Sequence, residues 1–435
     1  MNYTETVEYL FTSAPLFQQQ GAGAYKEGLE NTYVLDEHFN HPHRRYKTIH
    51  IAGTNGKGSC SHTIAAALQA AGYRVGLFTS PHLTDFRERI RVNGICISKE
   101  YVTDFVEQER SFFEPLHPSF FELTTAMAFK YFAESHVDYA VIEVGLGGRM
   151  DCTNIITPIL EIITNISFDH TQFLGHTLAE IASEKAGIIK KGVPIIIGEN
   201  QAETRPVFEA KTAREHAPIF FAEDEQEIVS SKRNANGGIS YQTKSWGDIE
   251  GQLGGLCQIK NTNTILCALN RLNKGILPHP LSREDIATAF SQVCRLTGLA
   301  GRWQTLREHP KVICDTGHNP GGWLYLGEQL KQMPCKHLRM IVGMANDKDL
   351  NGILEQMPKN AEYYFTKASV KRAKDEQELM SLATSRHALK GRCFPSVEEA
   401  YQNALRDADP DDCIFAGGSS FIVADLLTFL ETAAH

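Results

Sequence analysis

From about residue 46 to the C-terminus, short β-branched or fully apolar runs alternate with longer stretches whose apolar residues recur every three to four positions. Bounded apolar runs predict strands, and the 3.6-residue period predicts amphipathic helices. In the first half the runs predict strands over 49–52, 75–79, 139–144, 159–165 and 194–198, with helices over 124–135 and 177–188. The second of these helices opens on Thr177-Leu178-Ala179-Glu180, a capping-box pattern. Strands alternating with helices predict an α/β fold with mainly parallel sheet.

Residues 200–256 are more polar and less regular, and Asn234-Ala235-Asn236-Gly237-Gly238 predicts the turn of a surface hairpin. Near Leu296-Thr297-Gly298 the alternation resets, and a new series of strands is expected at 312–315, 339–342, 363–366, 392–395 and 413–416. The 435 residues fit two or three domains. The expectation is a P-loop ATPase-type domain over 1–297 and a smaller, doubly wound, Rossmann-like domain over 298–435.

The strand at 49–52 runs into Gly53-Thr54-Asn55-Gly56-Lys57-Gly58-Ser59, followed by an alanine-rich helix stopped by Gly72. Such a turn aims backbone N–H groups and a positive helix end at one point, which suits phosphate. Lys57 adds a mobile cation and Ser59 a hydroxyl for phosphate or metal. The generic spacing G-x-x-x-x-G-K-[ST] is not met, because Ile51 stands at its first glycine and Gly58 at its hydroxyl. A plain glycine turn beside a solvated lysine is the competing reading.

Other chemistry-bearing residues leave predicted strand ends. Glu143 closes an otherwise apolar strand, where open α/β sheets bind ligands and P-loop proteins hold Mg²⁺. Capping of the glycine loop that follows it is the alternative. Ser80 follows the strand at 75–79, and Asp169-His170 follow the strand at 159–165. Lys57, Ser59, Ser80, Glu143 and His170 are therefore expected on one edge of one sheet. Lys185, inside Ser183-Glu184-Lys185, reads locally as a solvated lysine beside a glutamate. Asp315-Thr316-Gly317-His318-Asn319-Pro320 follows a strand and opens a helix at proline, and a capped turn accounts for it equally well.

Composition narrows the partners. A net charge of −9 gives no overall case for nucleic acid. The ten cysteines lack C-x-x-C or Cys/His spacing, so buried, reduced thiols are expected rather than zinc or disulfides. No basic-then-apolar leader and no apolar run of membrane length is present, so a cytoplasmic protein without a membrane partner is expected.

Taken together, the ordered motifs resemble the folylpolyglutamate synthases of the Mur ligase superfamily, specifically the bacterial type often bifunctional with dihydrofolate synthase. The resemblance covers nearly the whole chain. It is carried by residues 53–59, Phe78-Thr79-Ser80-Pro81-His82-Leu83, Phe120-Phe121-Glu122-Leu123-Thr124-Thr125, residues 143–149 with Asp151 and Asn154, Asp169-His170 through Glu184-Lys185-Ala186-Gly187, residues 315–320, and Asp347-Lys348-Asp349. It also explains the glycine directly after Lys57. What it implies is an ATP-dependent ligase adding L-glutamate to a folate carboxylate, and also to dihydropteroate, through an acyl phosphate. Asn55, Gly56, Lys57, Gly58 and Ser59 would hold ATP's phosphates, with Asn261, Arg302 and Asp315 as further ATP contacts. Ser80, Glu143 and His170 would be ligands to magnesium, with two Mg²⁺ ions expected and room for a monovalent cation. Lys57, His170 and Lys185 would be catalytic, with Lys185 carbamylated. Leu29, Phe121, Glu122, Met150, Asp151 and Cys152 would line the pterin side, and His318 and Asn319 would lie near the incoming glutamate. A monomer acting on small molecules is implied.

The chain departs from the family pattern at Glu30-Asn31, at Thr316-Gly317 and at Cys257, which leaves the substrate contacts near Leu29 open. A folylpolyglutamate synthase without the second activity, or a Mur-type ligase of cell-wall precursors, shares the same chemistry. Gly58 and Phe120-Phe121-Glu122 favour folate. A P-loop kinase or nucleotide-switched binding protein is the alternative from another class, and it leaves Arg302 and residues 315–319 unexplained.

Overall fold

The computed structural model describes residues 1–13, 28–234 and 236–433. Its contacts form two units. The first comprises Met1–Asn234, Ile239–Gln252 and Gln258–Leu299; the second comprises Leu253–Cys257, the turn at 236–238 and the chain from Ala300 onward.

In the first unit, β1 (Lys47–Ala52), β2 (Val75–Phe78), β3 (Ile90–Val92), β4 (Ile95–Cys96), β5 (Tyr139–Glu143), β6 (Leu160–Ile163), β7 (Ile195–Ile197) and β8 (Ile219–Phe221) form one sheet. Their order is β4-β3-β2-β5-β1-β6-β7-β8, with every pairing from β2 to β8 parallel. Every residue of β2, β5 and β6 is buried, which is why these strands read as unbroken apolar runs rather than alternating ones. The chain leaves β1 toward β2 and leaves β6 toward β7, so the loops after β1 and β6 diverge at adjacent strands. That divergence opens the crevice in which α/β sheets take ligands.

The α/β, mainly parallel class is as expected, and the differences are local. The helix expected at 124–135 spans Phe120–Glu134, because Ser119 and Glu122 form a capping box that starts it earlier. The expected box at Thr177 and Glu180 does cap Leu178–Ala186. The antiparallel β3-β4 hairpin lies outside the expected strands. It turns on Asn93-Gly94, both at positive φ (48° and 77°), which is the short hairpin signal that would have found it. The polar stretch after residue 200 holds β8 and a small antiparallel sheet of β9 (Ile228–Arg233), β10 (Ile239–Thr243) and β11 (Gly247–Gly251). The β9-β10 pair is the expected hairpin, and Ala235 of its turn lies outside the described residues.

The second unit is built on β12 (Gln304–Glu308), β13 (Lys311–Asp315), β14 (Leu338–Val342), β15 (Glu362–Phe365), β16 (Gly391–Cys393) and β17 (Cys413–Gly417). The order is β12-β13-β17-β14-β15-β16, parallel except for the β12 edge, which the apolar pattern did not reveal. Trp323, Tyr363, Phe365 and Phe415 are fully buried in its core. All ten cysteines are free; Cys60, Cys267, Cys314 and Cys413 are buried residues and the other six are partly exposed, although the Cys152 thiol itself is buried, so the buried-thiol expectation holds in part. No helix among the described residues is long and apolar enough to cross a membrane.

One buried acid has a measurable consequence. Glu161 on β6 is fully buried; its Oε1 accepts the Lys190 amide at 3.0 Å, while Oε2 has no partner. Burial pushes this carboxyl up to about 9, against the nearby Lys190 charge. The folded chain therefore keeps a proton that the unfolded chain releases above its ordinary value of 4.5, so stability falls as pH rises between 4.5 and 9. Each pH unit in that window removes at most about 1.4 kcal/mol. Thermal unfolding of Glu161→Gln is expected to show a Tm above the wild type at pH 8 and equal to it at pH 4. Equal Tm values at both pH values would mean that the acid is not held neutral.

Candidate nucleotide and carboxylate-activation site

The loop after β1 is braced by the protein's own hydrogen bonds. Gly56 sits at φ +84° as N-cap of the helix Lys57–Ala70, and a Cβ there would lie 2.3 Å from Asn261 Oδ1. Only glycine satisfies both conditions. Thr54 N donates to Asn165 O (2.9 Å), Asn55 N to Asn165 Oδ1 (2.8 Å), Thr54 Oγ1 to Ser167 O (3.1 Å) and Thr164 Oγ1 to Asn55 O (2.6 Å). The loop after β6 thus serves as a brace for the loop after β1. Ser59, buried in the helix's first turn, accepts from Gln258 Nε2 at 3.2 Å, and Asn261 Nδ2 donates to Gln258 Oε1 at 3.0 Å. Asn261 is thereby held against the phosphate loop by the helix Gln258–Asn273.

Lys57 and Lys185 meet at this loop. Lys57 Nζ donates to Gly53 O (3.0 Å) and Thr54 O (3.1 Å), and Lys185 Nζ donates to the same Gly53 carbonyl at 3.1 Å. Lys185 is 4% exposed, which overturns its local reading as a solvated lysine. Burial, reinforced by the Lys57 charge, lowers its ammonium to about 7, while Asp169 and Asp151 act in the opposite sense. A lysine of this kind is substantially unprotonated at neutral pH.

The acid predicted for the strand end is where the sequence put it. Glu143 is 3% exposed at the tip of β5, and its Oε2 accepts the Ser80 amide at 3.1 Å from the end of β2. The buried cation facing Glu143 is Arg89, brought down to about 10 by burial and supported by the Glu143 charge. Its Nε donates to His82 Nδ1 at 2.7 Å, and its guanidinium lies 5.1 Å from the Phe120 ring centroid. His170, in the left-handed region at φ +50°, caps the short helix Thr171–Leu174, with Nε2 3.8 Å from Asp169 Oδ1. Ser80, Glu143, Lys57 and His170 follow β2, β5, β1 and β6, four adjacent parallel strands whose carboxyl ends share one edge.

Among the described residues no group of three or more His, Cys, Asp or Glu side chains stands ready to hold a metal alone. Ser80, Glu143 and His170 offer one hydroxyl, one carboxylate and one imidazole. Mg²⁺ ordinarily keeps several waters and is held by one or two carboxylates together with substrate phosphates. The donor set fits an ion that is shared with a nucleotide.

Beside Glu143, the Phe121 ring rests on bare backbone, since a Cβ at Gly145 would lie 2.5 Å from it, and its centroid is 5.7 Å from that of Phe78. Glu122 is engaged in the capping box with Ser119. Asp151 is buried and accepts the Leu146 amide at 2.8 Å; Cys152 lies beside it, its thiol raised well above the ordinary value by burial. Met150 is in the same loop. Leu29 is the N-cap of the helix Glu30–His38, without a side-chain cap.

In the second unit, Asp315 Oδ2 accepts the Trp303 amide (2.8 Å) and Oδ1 the Gly317 amide (2.8 Å). Burial raises this carboxyl, and the Arg302 charge opposes the rise. Arg302 itself bonds the Thr316 hydroxyl. His318 Nδ1 is 3.1 Å from Thr316 O, and Asn319 caps the helix Pro320–Lys331 by accepting the Gly322 amide at 2.9 Å. The capped-turn reading therefore describes Asn319 well.

Profiles of known families cover both units. The Mur ligase middle domain matches residues 51–269, and the Mur ligase glutamate ligase domain matches residues 301–420. The chain belongs to the Mur ligase family. It is 38% identical, over 343 residues, to the dihydrofolate synthase/folylpolyglutamate synthase of Bacillus subtilis, covering 76% of this chain and 79% of that protein. FolC of E. coli, solved in complex with DHPP and ADP, superposes with a TM-score of 0.84 at 26% identity, covering 100% and 99% of the two chains. The bifunctional folylpolyglutamate synthase/dihydrofolate synthase of Yersinia pestis, complexed with AMPPNP and Mn ion, superposes with a TM-score of 0.81 at 29% identity, covering 99% and 98%. Within the Mur ligases the chain stands with the folylpolyglutamate and dihydrofolate synthases, as its motifs implied.

In this Mur ligase, sequence reasoning passed over several site residues. Ser167 and the Asn165 side chain brace the phosphate loop, and a polar cluster directly after a strand end was their only signal. Arg89 left no local signal, because its nearness to the Glu143 charge arises from the antiparallel return of β3, which follows it, onto β2.

Proposed function

We propose that this Mur ligase is an ATP-dependent folylpolyglutamate synthase that also acts as a dihydrofolate synthase, joining L-glutamate to the carboxylate of a folate or of dihydropteroate. The observation that carries the reading is Lys185 buried on the Gly53 carbonyl beside Lys57. A second lysine buried against a phosphate loop has no task in a simple kinase or nucleotide switch.

The chemistry follows from charge. An acceptor carboxylate attacks the γ-phosphorus of ATP, releasing ADP and forming an acyl phosphate; the glutamate amine, having lost its proton, then displaces phosphate from the carbonyl carbon. Carboxylate and triphosphate are both anions, so the site must offset their repulsion before they meet. Lys57 would turn from its own loop carbonyls to the phosphates, and the N–H groups of residues 56–59 at the helix end would face them, with the Asn55 N–H spent on Asn165. Ser80, Glu143 and His170 would hold Mg²⁺, which when bound polarises the phosphoryl oxygens. Two such ions, a carbamate on Lys185 and a monovalent cation belong to the reading. The Phe121 ring and the loop carrying Met150, Asp151 and Cys152 offer a flat wall for a pteridine. Asn261, Arg302 and Asp315 are assigned to ATP, Leu29 and Glu122 to the acceptor, and His318 and Asn319 to glutamate. A cytoplasmic monomer completes the proposal.

The decisive assay measures phosphate release from ATP and Mg²⁺, with and without glutamate, offering dihydropteroate and tetrahydrofolate separately. Glutamate-dependent release with both acceptors, and products heavier by one glutamyl residue in mass spectrometry, is the expected result. Release with tetrahydrofolate alone would limit the enzyme to one activity, and release with neither would overturn the reading.

A further inference from the structure

β1 carries, two residues before its end, a histidine that no step above uses. His50 is fully buried, and its Nε2 lies 2.8 Å from Thr153 Oγ1. The Thr153 hydroxyl also bonds Asp151 Oδ1, which accepts the Thr153 amide at 3.0 Å, while Asp151 Oδ2 accepts the Leu146 amide at 2.8 Å. A hydroxyl has one proton and an ionised carboxylate only accepts; burial raises the Asp151 carboxyl, and the amide donors upon it favour the ionised form against that rise. Thr153 therefore donates to Asp151 and must receive from His50. The imidazole is fixed as the Nε2–H tautomer with a bare Nδ1, and Nδ1 is indeed a buried atom without a partner. Burial and the Lys190 charge lower this imidazole to about 3, so the direction of the chain does not change at working pH.

The far end of this chain is the loop after β5. Arg149 N donates to Glu184 O at 2.9 Å, and Asn154 Nδ2 bridges Arg149 O (3.0 Å) and Gly187 O (3.1 Å). A Cβ at Gly148 would lie 2.8 Å from Glu184 O. The loop is thus pressed onto the end of the helix that carries Lys185, and Phe121 covers its first residue. Apart from the Lys185 bond to Gly53 O, the phosphate loop is held by a different set of bonds, to Asn165, Ser167 and Thr164 on the β6 side.

We propose that His50 and Thr153 are positioning residues for the acceptor substrate: their one-way hydrogen-bond chain fixes Asp151, and with it the loop 145–151 against which the pteridine-bearing acceptor binds, without acting on nucleotide binding. The inference rests on the ligase reading and deepens it. It gives the two loops different braces: His50 of β1 holds the loop after β5 through Thr153, and the loop after β6 holds the phosphate loop.

Steady-state kinetics and equilibrium binding, by protein fluorescence, of dihydropteroate and tetrahydrofolate test it in His50→Leu, Thr153→Val, their double variant, His50→Gln and Thr153→Ser. His50→Leu and Thr153→Val are each expected to raise the acceptor KM and Kd about tenfold, the scale of one lost hydrogen bond to a charged group. The KM for ATP should stay within about twofold. The double variant should be no worse than either single one, because both break the same chain. Gln places an amide donor near the imidazole Nε2 and Ser keeps the hydroxyl, so His50→Gln and Thr153→Ser should recover most of the affinity. If His50→Leu does not fold, Thr153→Val against Thr153→Ser makes the same comparison. Unchanged acceptor affinity in folded variants, equal losses for ATP and acceptor, or additive losses in the double variant would overturn the inference. A wild type that shows no glutamate-dependent turnover would instead strike the ligase reading, and the two failures are distinct.

Discussion

Lys57→Met is expected to lower kcat about 10³-fold with little change in Tm. In the structure the Lys57 ammonium bonds the Gly53 and Thr54 carbonyls of its own loop, at 3.0 and 3.1 Å. The loop itself stands on the Thr54 and Asn55 bonds to Asn165 and Ser167, which the substitution leaves in place. Folding should therefore survive. A unit charge about 4 Å from a reacting phosphoryl group, at an effective dielectric of about 20, contributes about 4 kcal/mol. If that interaction is made in the transition state and not with the apo loop, it is worth about 10³ in rate. The ADP affinity should fall less than kcat, because the backbone N–H groups of the loop remain. Single-turnover phosphate release and calorimetric ADP binding provide the comparison; a folded Lys57→Met enzyme within tenfold of wild-type kcat would remove Lys57 from the chemistry.

How far the site could be read from the chain depended on which forces placed each residue. Ser80, Glu143, Lys57 and His170 were legible because a parallel sheet sends all its strand ends to one edge, so finding the strands was enough. Asn261 and Lys185 are different. Asn261 reaches Gly56 from a helix some two hundred residues later, and Lys185 is buried where its helix end meets the loop after β5 and the Gly53 carbonyl. Neither event leaves a local pattern, and only resemblance to a family marked these positions. For Lys185 the local pattern even pointed the wrong way, since Glu184 bonds Arg149 rather than the neighbouring lysine. Asn319 shows the opposite limit: its capping of a proline-opened helix was legible, and that capping already engages its side-chain oxygen. β3 and β4 escaped because three and two residues are too few to establish a period, and the edge strand β12 because its sequence Gln304-Thr305-Leu306-Arg307-Glu308 holds a single apolar residue.

The same burial that hid Lys185 from the sequence makes its chemistry testable. A lysine with its ordinary pKa near 10.4 has roughly one amine in 2,500 unprotonated at pH 7. At about 7, half of the Lys185 amines are, a gain of about 10³ in the form that can attack CO₂. Carbamate formation joins the amine nitrogen to the CO₂ carbon and releases one proton. It therefore weakens as pH falls through 7 and strengthens above it, until bicarbonate chemistry limits the CO₂ supply. The product replaces a buried cation beside Lys57 with an anion, so the Lys57 charge that opposed the ammonium then supports the carbamate. Lys185→Ala is expected to cost at least about 10²-fold in kcat, the scale of removing one charged group from a reacting centre. Part of that loss should return on adding a short carboxylate that can occupy the vacated space. Wild-type enzyme stripped of CO₂ at pH 6 should lose activity and regain it with bicarbonate, and ¹³C-bicarbonate should give a carbamate resonance that Lys185→Ala lacks. Full activity in Lys185→Ala, or a wild type indifferent to CO₂ and without that resonance, would leave the buried amine as a structural brace on Gly53 and nothing more.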